Sequence, residues 1–331
     1  MNQEQKITIG PYEPGDEHAI LDCFKVVFGI DRSLEHWNWK FRDCPFGIHA
    51  YLGKTGSGQV VSQFTGIPSP YKVGSRTFVF SQILDSMVDP AFRKGLKKPG
   101  LFASTVYEFV DRYGHDHEEA IMYGLPNPQA FRIGRRLLGY SFMHDIVTLY
   151  RSSEELIAEP LPAPEEIEVE MVSRFGPVAD ELWAAYEPAV EVSMIRNTEY
   201  LDWRYADCPD VEYAMLVARG RDGTPRGLAV ARGGFIGTQD AVLCDWVVPV
   251  EDRDAARALL VAVESQAKKI NASGLHILFP GYSPEYKVVE ACGYSARETQ
   301  FIQVARSYTP NVPLDLLKEK WFYTLGDYDL V

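Results

Sequence analysis

The sequence has no apolar run approaching the roughly 18 consecutive residues that a membrane-spanning helix needs, so no membrane partner is expected. Cysteine is sparse. Cys23, Cys44, Cys208, Cys244 and Cys292 are widely scattered, and no two form a C-x-x-C pair. That excludes the spacing of a disulfide framework or a zinc site and reads as buried thiols of a cytoplasmic protein that holds no metal. The polar opening, Met1-Asn2-Gln3-Glu4-Gln5-Lys6, runs directly into a strand-like Ile7-Thr8-Ile9, so no signal peptide is expected. Basic residues are also short: 33 Lys and Arg stand against 46 Asp and Glu, a net charge of −13. The resulting field repels nucleic-acid phosphates and tolerates a cationic partner such as an amine.

What is present is length and repetition. A chain of 331 residues with 46% apolar content suits two domains, each with its own core. Three landmarks recur in order. Trp39-Lys40-Phe41-Arg42-Asp43-Cys44-Pro45 returns as Trp203-Arg204-Tyr205-Ala206-Asp207-Cys208-Pro209, 164 residues on. Asp85-Ser86-Met87-Val88-Asp89-Pro90 is echoed by Asp245-Trp246-Val247-Val248-Pro249 at an offset of 160. Leu138-Gly139-Tyr140 has a counterpart in Cys292-Gly293-Tyr294 at an offset of 154. Ordered landmarks with slowly drifting offsets indicate a duplicated module. The modules are expected at 1–150 and 168–306. Between them, 151–167, rich in proline and acids, should be an exposed connector. The tail, 307–331, should pack back on the fold, because Trp321-Phe322-Tyr323 is too apolar to remain in water.

Periodicity predicts strands at 7–12, 49–52, 60–65, 77–88, 120–125 and 142–150, and helices at 17–28, 101–113 and 128–138, with Ser33 capping a further helix. The second half repeats the ending: strand 241–248, helix 253–270, strand 275–279, helix 284–292 and strand 299–305. Mixed strands with interleaved helices indicate an α+β fold.

One stretch reverses the acidic balance. Between Asp89 and Glu108 there is no acidic residue, and Arg93, Lys94, Lys97 and Lys98 are spaced by Gly95 and Gly100 directly before the helix at Leu101. A helix start offers unpaired N–H groups and partial positive charge, and glycine lets backbone approach an anion. The arrangement suits a ligand with several phosphates; the plain alternative is a solvated basic turn. In the second half the matching turn is Val250-Glu251-Asp252-Arg253-Asp254, acidic and without glycine, so it should repel phosphates.

Val88-Asp89-Pro90-Ala91-Phe92-Arg93-Lys94-Gly95, followed by Asn127-Pro128-Gln129-Ala130 and Leu138-Gly139-Tyr140, resembles the pattern of the GNAT acetyltransferase superfamily. The resemblance covers most of 6–150 and reaches 168–306 only through the repeat. It implies two tandem acyl-CoA N-acyltransferase-like modules, each a mixed, mainly antiparallel sheet flanked by helices, with a splayed gap between the fourth and fifth strands. It further implies acetyl-CoA as acyl donor and direct transfer to a small-molecule amine in a ternary complex. Met87 and Val88 would hold the pantetheine arm through main-chain groups, and Asn127 would contact it from the next strand. Arg93, Lys94, Gly95 and Gly100 would cradle the pyrophosphate, and Lys97 or Lys98 would reach the ribose phosphate.

Two departures stand out. The loop is longer than the family's and contains Pro99, which removes an N–H donor. Many family members also place a proton-donating tyrosine seven residues after the asparagine, a position that here is Gly134. Asp85, three residues before Val88, is the candidate base, or alternatively a structural carboxylate repeated as Asp245. Tyr123 is the candidate acid, or a core aromatic. Trp37, Trp39 and Trp203 are expected as core anchors, and His115-Asp116-His117-Glu118 as a solvated turn. The degenerate second module would shape the acceptor pocket or mediate a homodimer. The rival reading is a non-catalytic acyl-CoA-binding pseudo-enzyme with a regulatory role.

Overall fold

The computed structural model describes residues 6–93, 99–235 and 238–331. The first repeat runs β1 (Ile7–Pro11), α1 (Glu17–Phe28), α2 (Leu34–Trp37), β2 (His49–Thr55), β3 (Val60–Val73), β4 (Arg76–Val88), α3 (Leu101–Tyr113), β5 (Ile121–Gly124), α4 (Pro128–Leu137) and β6 (Ser141–Ser152). After α5 (Ser153–Ala158) comes the second: β7 (Ile167–Val172), α6 (Pro177–Tyr186), β8 (Val192–Met194), α7 (Thr198–Leu201), β9 (Ala214–Gly220), β10 (Pro225–Gly233), β11 (Ala241–Val247), α8 (Arg253–Lys269), β12 (Gly274–Ile277), α9 (Pro284–Glu290) and β13 (Ser295–Ser307). The chain closes with α10 (Leu314–Lys320) and β14 (Trp321–Phe322).

The duplication extends to irregular backbone. Each short second helix, α2 and α7, continues into a π-helical turn, Asn38–Arg42 in one and Asp202–Ala206 in the other. In both, an i to i+5 hydrogen bond closes the turn: Asp43 N donates to Asn38 O and Asp207 N to Asp202 O. The turns present Trp39 and Trp203 to the core, 8% and 7% exposed. Ser33 caps α2, its Oγ accepting from His36 N, as its position predicts.

Two compact units follow the strands rather than a single cut in the chain. One comprises Met1–Pro70, Thr77–Met143 and Ile302–Leu314; the other comprises Tyr71–Arg76, His144–Phe301 and Asp315–Val331. In the first, β1, β2 and β3 pair antiparallel in turn, β4 follows, β5 lies parallel to β4, and the end of β13 closes against β5 with Val304 opposite Gly124 and Ser307 opposite Ile121. In the second, β7, β9, β10 and β11 pair antiparallel, β12 lies parallel to β11, and β6 closes against β12 with Leu149 opposite Ile277. Each unit is therefore completed by a strand from the other repeat. The strands at 142–150 and 299–305 exist as expected, but pattern assigns the faces of a strand and not its neighbour. The stretch 151–167 contains α5, capped reciprocally by Ser152 and Glu155, with Leu156 only 1% exposed.

In the first unit the sheet is packed on both faces. Ile20, Phe24, Trp37, Phe41, Leu84 and Met87 form one core with α1 and α2. Phe64, Val106, Phe109, Met122 and Leu138 form the other with α3. In the second unit β14 pairs parallel with β8 and buries Trp321 completely.

Candidate functional site

The site arises where two parallel strands part. β4 and β5 are in register for only three pairs, Phe80 with Ile121, Ser81 with Met122 and Gln82 with Tyr123. β4 then runs on to Val88 while β5 ends at Gly124. The divergence coincides with a backbone irregularity at Asp85, whose φ of 46° lies in the left-handed region that few residues other than glycine, asparagine and aspartate adopt. Gln63 steadies this point by donating from Nε2 to the Asp85 carbonyl at 3.2 Å.

Beyond the last pair a cavity of about 320 Å³ opens. Ile83 and Ser86 of β4, Phe102 from the first turn of α3, and Gly134 of α4 line it, together with Tyr140 and Val304. The wall is mostly hydrocarbon and aromatic. Ser86 supplies an unusual polar point, because its Oγ is buried without a hydrogen-bond partner. α3 begins at Gly100 with no side-chain cap and no acid in its first turn, so among the described residues no side chain offsets the partial positive charge of its leading N–H groups. Among the described residues, a Cβ on Gly100 would meet nothing within 4 Å.

Gly134 and Tyr140 are complementary in shape. A Cβ placed on Gly134 would fall 2.2 Å from Tyr140 Cδ2 and 2.6 Å from Cε2, so the ring lies directly on the glycine. The volume beside position 134 is thus filled by an aromatic ring that arrives from the start of β6. Burial raises the pKa of the Tyr140 hydroxyl, as does Tyr308 nearby, while Arg306 opposes the shift. The hydroxyl therefore holds its proton.

The expected proton carriers lie elsewhere. Asp85 does not line the cavity; it binds Arg32 in bidentate fashion, Nη1 to Oδ2 and Nη2 to Oδ1 at 3.3 Å. Burial disfavours its charge, but Lys40 and Arg32 outweigh burial and hold the carboxyl below its usual range. Tyr123 is 2% exposed and is likewise not a lining residue. Among the residues expected to hold coenzyme A, Met87 is buried in the core on the α1 side. The Val88 carbonyl accepts from Arg93 Nε at 2.9 Å, so that carbonyl is already engaged. Asn127 Oδ1 accepts from Ala130 N at 2.9 Å and caps α4. Lys94, Gly95, Lys97 and Lys98 lie outside the described residues.

Sequence reasoning passed over Arg32, Ser86 and Tyr140. Arg32 carried a usable signal, since Arg196 follows it by the same 164 residues as the tryptophans. The second unit repeats the ion pair, with Arg196 Nε 2.6 Å from Asp245 Oδ1. It does not repeat the cavity: the matching cleft, lined by Trp246, Val248 and Phe279, encloses only about 20 Å³. Trp246, which stands 160 residues after Ser86, is among the residues lining this smaller cleft.

No protein-family model and no curated protein matches this sequence. Solved structures do match its backbone. A conserved protein of unknown function from Enterococcus faecalis V583, described as a probable N-acyltransferase, superposes with a TM-score of 0.68 at 14% identity, over 92% of this chain and 73% of that one. A GCN5-related N-acetyltransferase from Kribbella flavida gives 0.64 at 18% identity, over 92% and 71%. This chain has the GNAT fold. N-myristoyltransferase of Saccharomyces cerevisiae, solved with bound myristoyl-CoA, matches over 97% of this chain and 85% of its own at a TM-score of 0.60 and 11% identity. Within the GNAT fold, the parting of β4 and β5 is the gap that the resemblance implied, and here it carries the larger of the two repeat-related cavities. Among the described residues there is no group of side chains able to hold a metal and no helix long and apolar enough to cross a membrane.

Proposed function

We propose that the first unit is an acyl-CoA-dependent N-acyltransferase that transfers an acetyl group to a small-molecule amine by direct attack. The observation that carries this reading is the apolar cavity at the parting of β4 and β5, set against the uncapped start of α3. The cavity suits the pantetheine arm and thioester. The helix start suits the phosphates, and the sequence supplies Arg93, Lys94, Lys97 and Lys98 just before it. The names of the structural neighbours, two of them acyltransferases working from acyl groups on coenzyme A or of the GCN5-related kind, point the same way.

In this reading the amine nitrogen bonds to the thioester carbonyl carbon, the C–S bond breaks, the nitrogen loses a proton to water, and the departing thiolate takes one. Ser86 Oγ, buried and unpartnered in the wall, is the donor or acceptor that the bound arm would satisfy. Tyr140 is the tyrosine of the cavity lining, its ring beside Gly134, and would protonate the thiolate and regain a proton from water, a step that needs the bound substrate to offset the burial that makes its hydroxyl a weaker acid. Asp85 is a positioning residue that holds Arg32 and the bend in β4.

The test copies the second unit into the first. Ser86→Trp should fill the cavity and abolish binding of acetyl-CoA and free coenzyme A in calorimetry, while the protein stays folded by circular dichroism. A folded Ser86→Trp variant that binds acetyl-CoA as the parent does removes the site. If the parent binds, release of free thiol across polyamines, amino acids and aminosugars reports turnover. Binding without turnover on any of them selects the regulatory acyl-CoA reading.

A further inference from the structure

The second unit contains a cavity of about 380 Å³ that differs in every wall from the one in the first. It is bounded by 188–191 ahead of β8, by 282–285 at the start of α9, and by Glu319, Lys320 and Phe322 near the end of the chain. Three carboxylate residues, Glu191, Glu285 and Glu319, and one lysine, Lys320, line it, and the charge of Arg196 also reaches Glu285. None of the three is in an ion pair with a described residue.

Glu285 separates this cavity from an ordinary acidic surface. Its residue is only 6% exposed. Tyr186 donates its hydroxyl to Oε1 at 2.9 Å, and Oε2 is buried with no hydrogen-bond partner. Burying a carboxylate with an unmet oxygen is unfavourable, and proteins rarely retain such a group without a use for it. Burial also pushes its pKa above the usual range, an effect that a bound cation would reverse. The ring of Tyr282, fixed by its hydroxyl bond to the Trp321 carbonyl at 2.7 Å, and that of Phe322 add aromatic faces of the kind that attract ammonium groups.

We infer that this cavity binds a small organic cation of the polyamine class, with Glu285 as the buried anchor and Glu191 and Glu319 at the rim. Its volume lies in the range of small-ligand sites, about 300–1,000 Å³. A divalent metal is disfavoured, because no group of His, Cys, Asp or Glu among the described residues is arranged to ligate one. The site does not depend on the reading of the first unit.

Titration of spermidine into the full chain by calorimetry tests it, with acetyl-CoA titrated into the same samples. Saturable 1:1 binding of spermidine is expected. Glu285→Gln should weaken it by about tenfold or more, since a hydrogen bond to a charged group is lost. Glu319→Gln, at the exposed rim, should weaken it by about threefold and leave the fold and the acetyl-CoA titration unchanged. Glu319→Gln keeps the test decisive should Glu285→Gln fail to fold. No saturable heat up to millimolar spermidine with folded parent protein overturns the proposal, as does an affinity that neither variant alters. Loss of acetyl-CoA binding alone would count against the first-unit site and not this one.

Discussion

Gly134→Ala is the sharpest probe of how the cavity is built. The added methyl carbon would stand 2.2 Å from Tyr140 Cδ2, 2.6 Å from Cε2 and 3.2 Å from Cγ, so the ring must move or the helix must shift. Forcing an extra carbon into such a contact costs about 1–3 kcal/mol. Alanine in a helix interior recovers about 0.8–1.0 kcal/mol relative to glycine. The net expectation is a loss of about 1 kcal/mol, or roughly 2–4 °C in Tm for a unit of this size. In a Tyr140→Ala background the obstruction is gone and the same change should stabilise by up to about 1 kcal/mol. Urea melts of the four proteins, followed by circular dichroism, give the coupling directly, expected at about 1–3 kcal/mol. If alanine at 134 has the same effect with and without the Tyr140 ring, the ring does not lie on the glycine and its role as proton source loses its basis.

Two further outcomes follow from charge and burial. Asp85→Asn leaves Arg32 and Lys40 without their carboxylate and should cost about 3 kcal/mol. The folded carboxyl sits below its unfolded value near 3.9. Its contribution is therefore present above about pH 4 and is lost as pH falls through the lower folded value; acid melts of Asp85→Asn should lack that component. Burial pushes the Cys23 thiol up to about 11 and Cys244 to about 12, so neither should react with a disulfide reagent at pH 8 in the folded protein. The half-buried Cys208 and Cys292 should account for whatever modification occurs without denaturant, and rapid labelling of four or five thiols would contradict the burial.

The two repeats share a frame and differ in the cavity beside it. Both retain the arginine–aspartate pair, Arg32 with Asp85 and Arg196 with Asp245, and both retain the π-helical turn carrying a tryptophan. In the second unit the pair is fully buried and extended by further hydrogen bonds: Tyr205 donates to Asp245 Oδ2 at 2.9 Å, Arg196 Nη2 donates to Asp327 Oδ2, and Tyr71 donates to Asp327 Oδ1 at 3.0 Å. A frame of this kind is consistent with the structural alternative for Asp85. What changed is the wall, where tryptophan at 246 replaces serine at 86 and the enclosed volume falls from about 320 to about 20 Å³.

The sequence by itself determined whatever depends on local period and order. Apolar spacing located α1, α3, α4 and the second half's α8; Ser33 announced the start of α2; the recurring Trp, Asp and Gly-Tyr landmarks exposed the duplication. These survive because they are properties of neighbouring residues and of a copied chain. Tertiary structure alone decided which strands close each unit, since β6 and β13 have patterns that would pair equally well with several edges. It also set Arg32, 53 residues away, against Asp85, a partner that the strand pattern around Asp85 does not reveal. Tyr140 was visible as part of a motif, yet its contact with Gly134 depends on how the start of β6 folds against α4. A side chain's chemistry follows from its type, whereas its availability follows from what the rest of the chain brings beside it.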